Sequence, residues 1–533
     1  MKHPIAKYRA ALAGTTALAL VALTTTGTAF AQSSAEGQTV VAVEGGKVRG
    51  VATNGLIVFK GIPFAQPPVG ALRWRPPQPV KPWDGIRAAT AFSANPMQPV
   101  HSAPPGAGIS EDCLYLNVWR PAATWDKPLP VMVWIYGGGL VRGGASLYPG
   151  EFLARQGIVI VSLNYRVGRL GFFAHPALAR EAPDDLRGNY GYMDQLAALR
   201  WVQKNIAGFG GDPKNVTVAG ESAGGGSVLV LLTSPLARGL FQRTILESAG
   251  LPTPRAGATP MRSLAAAESI AVEYARAAGI KGDDPAALAA LRAIPAATLC
   301  QDMDAYLLAT MGGPEIPGLS HSIIDGRLVV EPPEATVRAG RQAMVPVIVG
   351  ANNVDLAASP AQTKEGVFAM FGPLAPQARK LYDPKGDTSL KDLVQMVISD
   401  QCMVEPSRNL AELMTRAGQP AHFYRFSYVP EALRAKMPGA PHAAEIVFAF
   451  DCPGAILKEK VTDADLSMAR TMSGYWVDFV KTGDPNGGGR PAWPRYDPAS
   501  RDVLNFTDQG ITDGPDPLKE RLDLWRTVWE QEH

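Results

Sequence analysis

The sequence predicts an α/β protein with a mostly parallel central sheet. Strand-length apolar runs lie at residues 114–119, 131–135 and 158–163. The second and third runs are nearly continuous in apolar residues, which is typical of strands covered on both faces. Later strand-like runs are separated by segments with helical spacing, and strands that alternate with helices usually form a parallel sheet.

The N-terminal elements are predicted from their turns and apolar spacing. Residues 39–60 alternate short apolar runs with glycine turns, which predicts antiparallel strands, and a proline-rich passage follows at 63–82. Residues 194–206 carry apolar side chains at helical spacing. A glycine-rich turn after this helix leads to a predicted strand at 215–219.

The C-terminal half adds one more central strand and two helical insertions. The strand is predicted at 345–349, after an alanine-rich and mostly helical stretch at about 261–308. We expect insertions at about 251–320 and 360–415 to form a lid over the strand ends. No internal repeat or low-complexity linker divides residues 32–533, so we expect one domain.

The first 31 residues have the pattern of a signal peptide that is removed. Three basic residues precede the apolar stretch 10–23, and Ala29-Phe30-Ala31 is a small-x-small cleavage site. The apolar stretch is too short for a comfortable membrane span, and no later run is long enough, so we expect no stable membrane insertion. The protein is therefore expected to be exported, either to the periplasm or outside the cell.

Charge gives no sign of a nucleic-acid partner. The formal net charge of the whole chain is +2. Residues 1–31 hold three basic and no acidic side chains, so the remaining chain has a net charge of −1. No basic patch stands out, and we expect no nucleic-acid binding.

The four cysteines are Cys113, Cys300, Cys402 and Cys452. Four cysteines allow three complete pairings, and sequence does not choose among them. Export favours one disulfide, for which Cys402–Cys452 is the preferred pair. Four buried thiols are the alternative.

The segment Gly220-Glu221-Ser222-Ala223-Gly224 has the G-x-S-x-G pattern of a nucleophile elbow. It follows the predicted strand at 215–219 and precedes a helix that begins near residue 225. Such a turn is strained, and glycines flank it because a side chain would collide with the neighbouring elements. The pattern predicts that the hydroxyl of Ser222 is presented as a nucleophile.

A second motif, Tyr136-Gly137-Gly138-Gly139, directly follows the strand at 131–135. It matches the HGGG-type oxyanion loop with tyrosine in place of histidine. We expect the backbone N–H groups of Gly138, Gly139 and Ala223 to bind an oxyanion. A flexible turn is the alternative, but the position after a buried strand favours the donor loop.

A serine nucleophile needs a base, and His442 is the candidate. It lies in a loop far downstream of Ser222, in agreement with the chain order nucleophile, acid, base. His422 lies inside an apolar run and is read as a packed residue. Glu445 near His442 does not make a metal site, because there is no HExxH motif; no metal and no cofactor are expected.

The orienting acid should follow a sheet strand between the serine and the histidine. Asp355 fits, since it lies just after the predicted strand at 345–349. Glu365 and Asp325 are the alternatives. Acidic residues are usually exposed, so the alternative for each of the three is a surface carboxylate with no role in the site.

These motifs resemble the type-B carboxylesterase/lipase family, which includes para-nitrobenzyl esterases and cholinesterases. The resemblance implies an α/β-hydrolase fold, hydrolysis of carboxylic esters, and a triad of Ser222, an acid and His442. It also implies that Glu221 and Glu445 support the histidine. The matching segments, in chain order, are residues 59–65, 111–118, 136–139, 164–166, 191–195, 220–224, 442–445 and 482–486.

Three positions depart from the family pattern. Asp355 stands where the family usually has glutamate. Cys113 lacks the upstream cysteine with which the family often pairs it. Glu247-Ser248-Ala249-Gly250 replaces the common Gln-Ser-Gly.

The expected function is therefore that of a serine hydrolase acting on small-molecule esters through an acyl-enzyme. An amide or carbamate hydrolase that uses the same site is an alternative. A binding module is a further alternative, since some relatives keep the fold, lose the serine and act in adhesion; here the serine is present. Leu140, Phe448 and the insertion at 261–320 are expected to shape the substrate pocket.

Overall fold

The computed structural model describes residues 39–251, 261–303, 321–356 and 361–532. The predicted signal peptide and part of the first insertion lie outside these ranges. Within them, a mixed sheet of eleven strands forms the centre of the protein. In chain order these strands are β1 (Val51–Thr53), β2 (Leu56–Pro63), β3 (Tyr115–Pro121), β4 (Leu129–Ile135), β5 (Val159–Leu163), β6 (Gly211–Glu221), β7 (Arg243–Glu247), β8 (Val347–Asn352), β9 (Ala421–Phe426), β10 (Asp502–Thr507) and β11 (Gly510–Pro515).

The sheet order confirms the predicted α/β class. Across the sheet the strands run β11-β10-β9-β8-β7-β6-β4-β5-β3-β2-β1. The seven strands from β10 to β5 are mutually parallel, whereas β1, β2 and β3 at one edge and β11 at the other are antiparallel to their neighbours. The antiparallel N-terminal strands are therefore as expected.

Helices cover both faces of this sheet. The helices of eight residues or more are α1 (Tyr190–Asn205), α2 (Ala223–Thr233), α3 (Leu264–Ala277), α4 (Pro285–Ala293), α5 (Ala375–Tyr382), α6 (Leu390–Ser399), α7 (Glu405–Arg416), α8 (Asp463–Thr482) and α9 (Lys519–Glu532). Shorter helices span Glu151–Ala154, Gly168–Gly171, Pro176–Glu181, Ala296–Leu299, Pro333–Arg338, Lys364–Ala369, Ile446–Ala449 and Gly454–Leu457. In the described ranges, no helix has both the length and the apolar character needed to cross a membrane.

The side chains of β4 show why both faces are buried. Val131, Val133 and Ile135 pack into the core that α1, α2 and α7 share on one face. Met132 and Trp134 pack into the core formed with α8 on the other face. Because successive side chains of a strand point to opposite faces, a continuous apolar run is what a doubly covered strand requires.

The preferred disulfide Cys402–Cys452 is wrong. All four cysteines are thiols, three of them buried and Cys402 partly exposed. Cys402 lies in the π-helical turn Asp400–Val404, whose Val404 packs into the core on the α2 face. Cys452 packs into the core on the α8 face, so the sheet separates the two sulfur atoms.

Candidate active site

The nucleophile elbow has the geometry that its sequence predicts. Ser222 lies between β6 and α2 with φ 56° and ψ −125°, a conformation unusual for a residue with a side chain. Its N–H donates to the carbonyl of Glu247 at 2.9 Å, and its own carbonyl accepts from Gly226 N–H at 2.8 Å. A Cβ on Gly224 would collide with the carbonyl oxygen of Ile135. The close approach of β4 therefore requires glycine here and holds the strained turn in place.

His442 connects the serine to Asp355. Its Nε2 lies 2.8 Å from Ser222 Oγ, although the two residues are 220 positions apart in the chain. Its Nδ1 lies 2.5 Å from Asp355 Oδ1. In this arrangement an imidazole can accept the serine proton on one nitrogen while the acid orients the other.

Hydrogen bonds hold the acid loop against the histidine loop. Asp355 follows β8 and accepts the N–H of Asn352 at 3.0 Å on Oδ2. Val354 N–H donates to the carbonyl of Ala440 at 3.1 Å. The side-chain amide of Asn352 donates to the carbonyl of Pro441 at 2.6 Å. These bonds to the residues that precede His442 fix the ring relative to the carboxylate.

Helix α6 supports the acid loop from behind. Gln395 Nε2 donates to the carbonyls of Val354 at 3.3 Å and of Asp355 at 3.4 Å. The π-helical turn Asp400–Val404 follows directly and joins α6 to α7. Single π-helical turns inside α-helices occur frequently at functional sites. This part of the 360–415 insertion therefore positions Asp355.

The two alternative acids lie elsewhere. Glu365 has a side chain that is 74% exposed and lies 3.6 Å from Arg379. Asp325 is occupied by its own loop, where it accepts the N–H groups of the three residues 327–329 and the side-chain amide of Asn189. His422, as expected, is buried against the aromatic rings of α8 and its neighbourhood.

The three predicted oxyanion donors are available. Within the described ranges, the N–H groups of Gly138, Gly139 and Ala223 donate no hydrogen bond to the protein. Gly138 and Gly139 have φ values of 106° and 66°, which side chains other than glycine rarely adopt. The positive φ values turn the loop after β4 and leave its N–H groups unpaired.

Tyr136 fixes the start of this loop. Its ring stacks on that of Tyr165 with centroids 4.4 Å apart. Tyr136 OH donates to the Tyr165 carbonyl at 3.1 Å, and Tyr165 OH donates to the Tyr136 carbonyl at 2.8 Å. The tyrosine that replaces the histidine of the HGGG motif therefore anchors the loop to the end of β5.

Four buried carboxyl groups lie in the site, three of them around His442. Glu221, Glu247, Asp355 and Glu445 are each 4% exposed or less. Glu221 Oε1 lies 3.3 Å from His442 Nε2. Glu247 accepts a hydrogen bond from the indole of Trp476 at 2.7 Å. The family-derived expectation that Glu221 and Glu445 lie near the histidine agrees with this placement.

The hydroxyl of Ser248 joins two of these carboxyl groups. Its Oγ lies 2.8 Å from Asp355 Oδ2 and 3.1 Å from Glu445 Oε1. A hydroxyl has one proton to donate, so two ionised carboxylates cannot both accept from it. The hydroxyl lies closer to Asp355, the residue that also contacts His442. The other oxygen of Glu445 accepts from the amide of Asn352 at 2.5 Å.

The pKa values of the groups in this cluster are strongly shifted. Burial, reinforced by the charge of Asp355, raises the pKa of Glu445 to about 7. Burial also raises the pKa of Glu221 to about 8. For His442, burial lowers the pKa, but the charges of Glu221 and Asp355 outweigh it and raise the pKa to about 10. A cluster of this kind favours the protonated form of the ring.

Sequence reasoning did not predict roles for Ser248, Asn352 or Trp476. The sequence departs from the family pattern at residues 247–250, but this departure alone does not indicate what Ser248 contacts. These side chains meet because β6, β7 and β8 are adjacent and parallel, with Glu221 paired to Glu247 and Glu247 to Gly350. That adjacency is not encoded in any local pattern.

The two expected pocket residues have different surroundings. Leu140 directly follows the glycine loop, with φ 61°, and its carbonyl accepts the N–H of Gly168 at 2.7 Å. Phe448 is 2% exposed, and its ring packs at 5.2 and 5.3 Å from those of Phe426 and Tyr428. The structure therefore places Phe448 in the core on the α8 face.

Comparisons with known proteins show the family of this chain. The model of the carboxylesterase family matches residues 37–370 and 374–525. A fumonisin B1 esterase of Sphingopyxis macrogoltabida is 35% identical over 485 residues, which cover 87% of this chain and 86% of that protein. Liver carboxylesterase 1 of Oryctolagus cuniculus is 35% identical over 522 residues, which cover 89% of each chain.

A solved structure gives the same result for the fold. The structure of a PNB esterase superposes with a TM-score of 0.76 at 33% sequence identity, covering 92% of this chain and 100% of that one. The family match extends over nearly the whole described chain and includes both the elbow and the histidine loop. This chain therefore belongs to the carboxylesterase family and is a carboxylic-ester hydrolase with the α/β-hydrolase fold.

Proposed function

We propose that Ser222, His442 and Asp355 are the catalytic triad of this esterase and that it acts through an acyl-enzyme. One observation carries the assignment: Ser222 Oγ, both nitrogens of His442 and Asp355 form a continuous chain of contacts at 2.8 and 2.5 Å. The relatives' activity as esterases supports the reaction class. The residue roles below are inferred from this geometry.

In the acylation step, Ser222 Oγ attacks the ester carbonyl carbon while its proton passes to His442 Nε2. The carbonyl oxygen becomes negative and is bound by the N–H groups of Gly138, Gly139 and Ala223. One such donor contributes about 2.7–4 kcal/mol to the transition state. The bond from the carbonyl carbon to the alcohol oxygen then breaks, and His442 returns its proton to the leaving alcohol.

In the deacylation step, water attacks the acyl-serine and gives a proton to His442. The bond to Ser222 Oγ breaks, the serine recovers the proton, and the carboxylic acid leaves. Asp355 keeps Nδ1 protonated throughout, so that Nε2 is the nitrogen that accepts protons. The negative charge of Glu221, 3.3 Å from Nε2, stabilises the imidazolium in both steps.

The proposal is tested with the purified protein on a panel of p-nitrophenyl and alkyl esters varied separately in the acyl and alcohol parts. The panel includes fumonisin B1, because a similar protein is named as its esterase. Ser222→Ala should lower kcat by about 10⁶ and abolish labelling by an organophosphate. The matched control is Ser269→Ala on the exposed side of α3, which should leave turnover unchanged. Full activity of Ser222→Ala would refute the assignment.

We also propose that the protein is exported after removal of residues 1–31. The basic start, the apolar stretch and the cleavage site Ala29-Phe30-Ala31 support this. Cell fractionation and N-terminal sequencing test it, and the expected first residue is Gln32. Activity confined to the cytoplasm, with the N-terminus uncut, would contradict export.

A further inference from the structure

A cation lies beside the oxyanion loop and takes no part in the mechanism above. Arg142 closes the turn that follows the three glycines, and its N–H donates to the carbonyl of Gly138 at 3.2 Å. A Cβ built on Gly138 would lie 3.2 Å from Arg142 Cγ. The side chain of Arg142 therefore starts next to the Cα of Gly138, the residue whose N–H we assign to the oxyanion.

This guanidinium makes no ion pair and no side-chain hydrogen bond within the described ranges, although the residue is partly buried. Two more deeply buried arginines among the described residues are paired with acids. Arg166 is bound to Asp194 at 2.7 Å, and Arg73 to Glu111 at 2.6 Å. Arg142 thus has hydrogen-bonding capacity that the protein itself does not use.

The loop that carries Arg142 is held rigidly. Gln98 clamps the next residue, Gly143, from both sides: its Oε1 accepts the N–H at 2.9 Å and its Nε2 donates to the carbonyl at 2.7 Å. Asn164 Oδ1 accepts the N–H of Ala145 at 2.9 Å. The backbone that carries Arg142 is therefore already ordered before a ligand arrives, which lowers the entropic cost of binding.

We propose that Arg142 binds a free carboxylate of the substrate, so that the enzyme prefers esters that retain an ionised carboxylate, such as half-esters of dicarboxylic acids. The inference rests on the proposed function, because the carboxylate bound by Arg142 belongs to the same substrate whose ester group is attacked by Ser222. The planar guanidinium can form two parallel hydrogen bonds to a carboxylate. The acidic groups of the site, Glu221, Asp355 and Glu445, are engaged with His442 and its surroundings and leave Arg142 free for the substrate.

The test compares two esters of nearly equal shape, 4-nitrophenyl hydrogen glutarate and 4-nitrophenyl 5-methylhexanoate. The protein is purified as its host produces it, and the ratio of kcat/KM for the anionic over the neutral ester is measured. A second pair, 4-acetoxybenzoate and 4-acetoxytoluene, places the charge on the alcohol part. We expect the wild type to favour the anionic member of at least one pair.

Arg142→Gln should lower that ratio by about 10- to 100-fold, because it removes a charge-assisted hydrogen bond. Arg142→Lys keeps the positive charge but cannot form the two parallel hydrogen bonds of a guanidinium, so it should give an intermediate ratio. Arg155→Gln removes an exposed arginine that lies over Phe152 and should leave the ratio unchanged. Raising the ionic strength should reduce the ratio for the wild type and not for Arg142→Gln.

A wild type with no preference in either pair, or an Arg142→Gln variant with the same ratio, would overturn the inference. An equal fall in Arg155→Gln would also overturn it, because the effect would then come from the overall charge. Failure of the proposed function gives a different result: the wild type would hydrolyse none of the four esters, or Ser222→Ala would hydrolyse them equally well.

Discussion

At the scale of single residues, the charges around His442 set its basicity. The ring is buried, which by itself lowers the pKa, yet three carboxyl groups face it and raise the pKa to about 10 from an ordinary value of 6.5. In the proposed mechanism, only the neutral ring accepts the proton of Ser222. The same charges that reduce the fraction of neutral ring at rest stabilise the imidazolium in the transition state.

The pH profile should reveal this balance. The rising limb of kcat/KM for p-nitrophenyl acetate should lie above pH 6.5, because the pKa of His442 is raised and activity requires the deprotonated ring. Glu221→Gln removes the largest of the raising charges, so its rising limb should move to lower pH. A limb that stays in place or moves upward would contradict the role given to Glu221.

Asp355 should be essential where Glu365 is not. Asp355→Asn should lower kcat by about 10⁴, because the amide favours the wrong tautomer of His442. The matched change Glu365→Gln affects an exposed side chain that pairs with Arg379 and should leave kcat within about twofold. Steady-state kinetics on one ester decide the matter, and the reverse pattern would move the triad acid to Glu365.

At the scale of secondary-structure elements, the ends of three parallel strands build the site. The carboxyl ends of β6, β7 and β8 are adjacent and contribute Glu221, Glu247 and Asn352. Loops that follow such ends meet at one edge of the sheet, where ligands of open α/β sheets bind. The elbow is the tightest of these connections, since α2 starts one residue after Ser222.

Two glycines of the elbow helix should respond oppositely to alanine. A Cβ on Gly224 would overlap the carbonyl oxygen of Ile135, so Gly224→Ala should destabilise the protein by about 1–3 kcal/mol or more and displace Ser222. A Cβ on Gly226 meets nothing within 4 Å, so Gly226→Ala should stabilise the helix by about 0.5–1 kcal/mol. Thermal unfolding midpoints measure both changes, and equal midpoints would contradict the close approach of β4.

At the scale of the whole molecule, the buried carboxyl cluster links stability to pH. Burial raises the pKa of Glu247 well above 4.5, with a further contribution from the charge of Glu445. The native state therefore holds a proton that the unfolded chain releases above pH 4.5. A raised folded-state pKa stabilises the protein below the unfolded pKa, and this contribution is lost as pH rises through the folded value.

Glu247→Gln should remove that dependence. The amide is neutral at every pH and can still accept the hydrogen bond from Trp476. The difference in unfolding temperature, wild type minus variant, should therefore decrease as pH rises from 5 to 9. A difference that is constant with pH would mean that Glu247 is ionised in the native protein already at pH 5.

Much of the fold and part of the site could be predicted because they depend on local physics. Apolar runs predicted β4 and β5 because a strand covered on both faces must be apolar on both sides. The elbow and the triple glycine were predicted because close backbone contacts at these turns require glycine. The helix predicted at 194–206 begins earlier, at Tyr190, because buried aromatic side chains continue its inner face. The predicted disulfide Cys402–Cys452 is wrong because the cellular compartment of a protein does not indicate on which side of the sheet each cysteine lies.

By itself, the amino-acid sequence determined the α/β class, the strained turn at Ser222, the unpaired N–H groups after β4 and the order of serine, acid and histidine along the chain. These follow from steric and periodic constraints that act within a few residues. Only the tertiary structure decided that Asp355 and not Glu365 meets His442, that Ser248 joins two carboxyl groups, and that Arg142 lies beside Gly138 with no ion-pair partner among the described residues. Those facts depend on which strands are neighbours, and that adjacency is set by packing over the whole sheet.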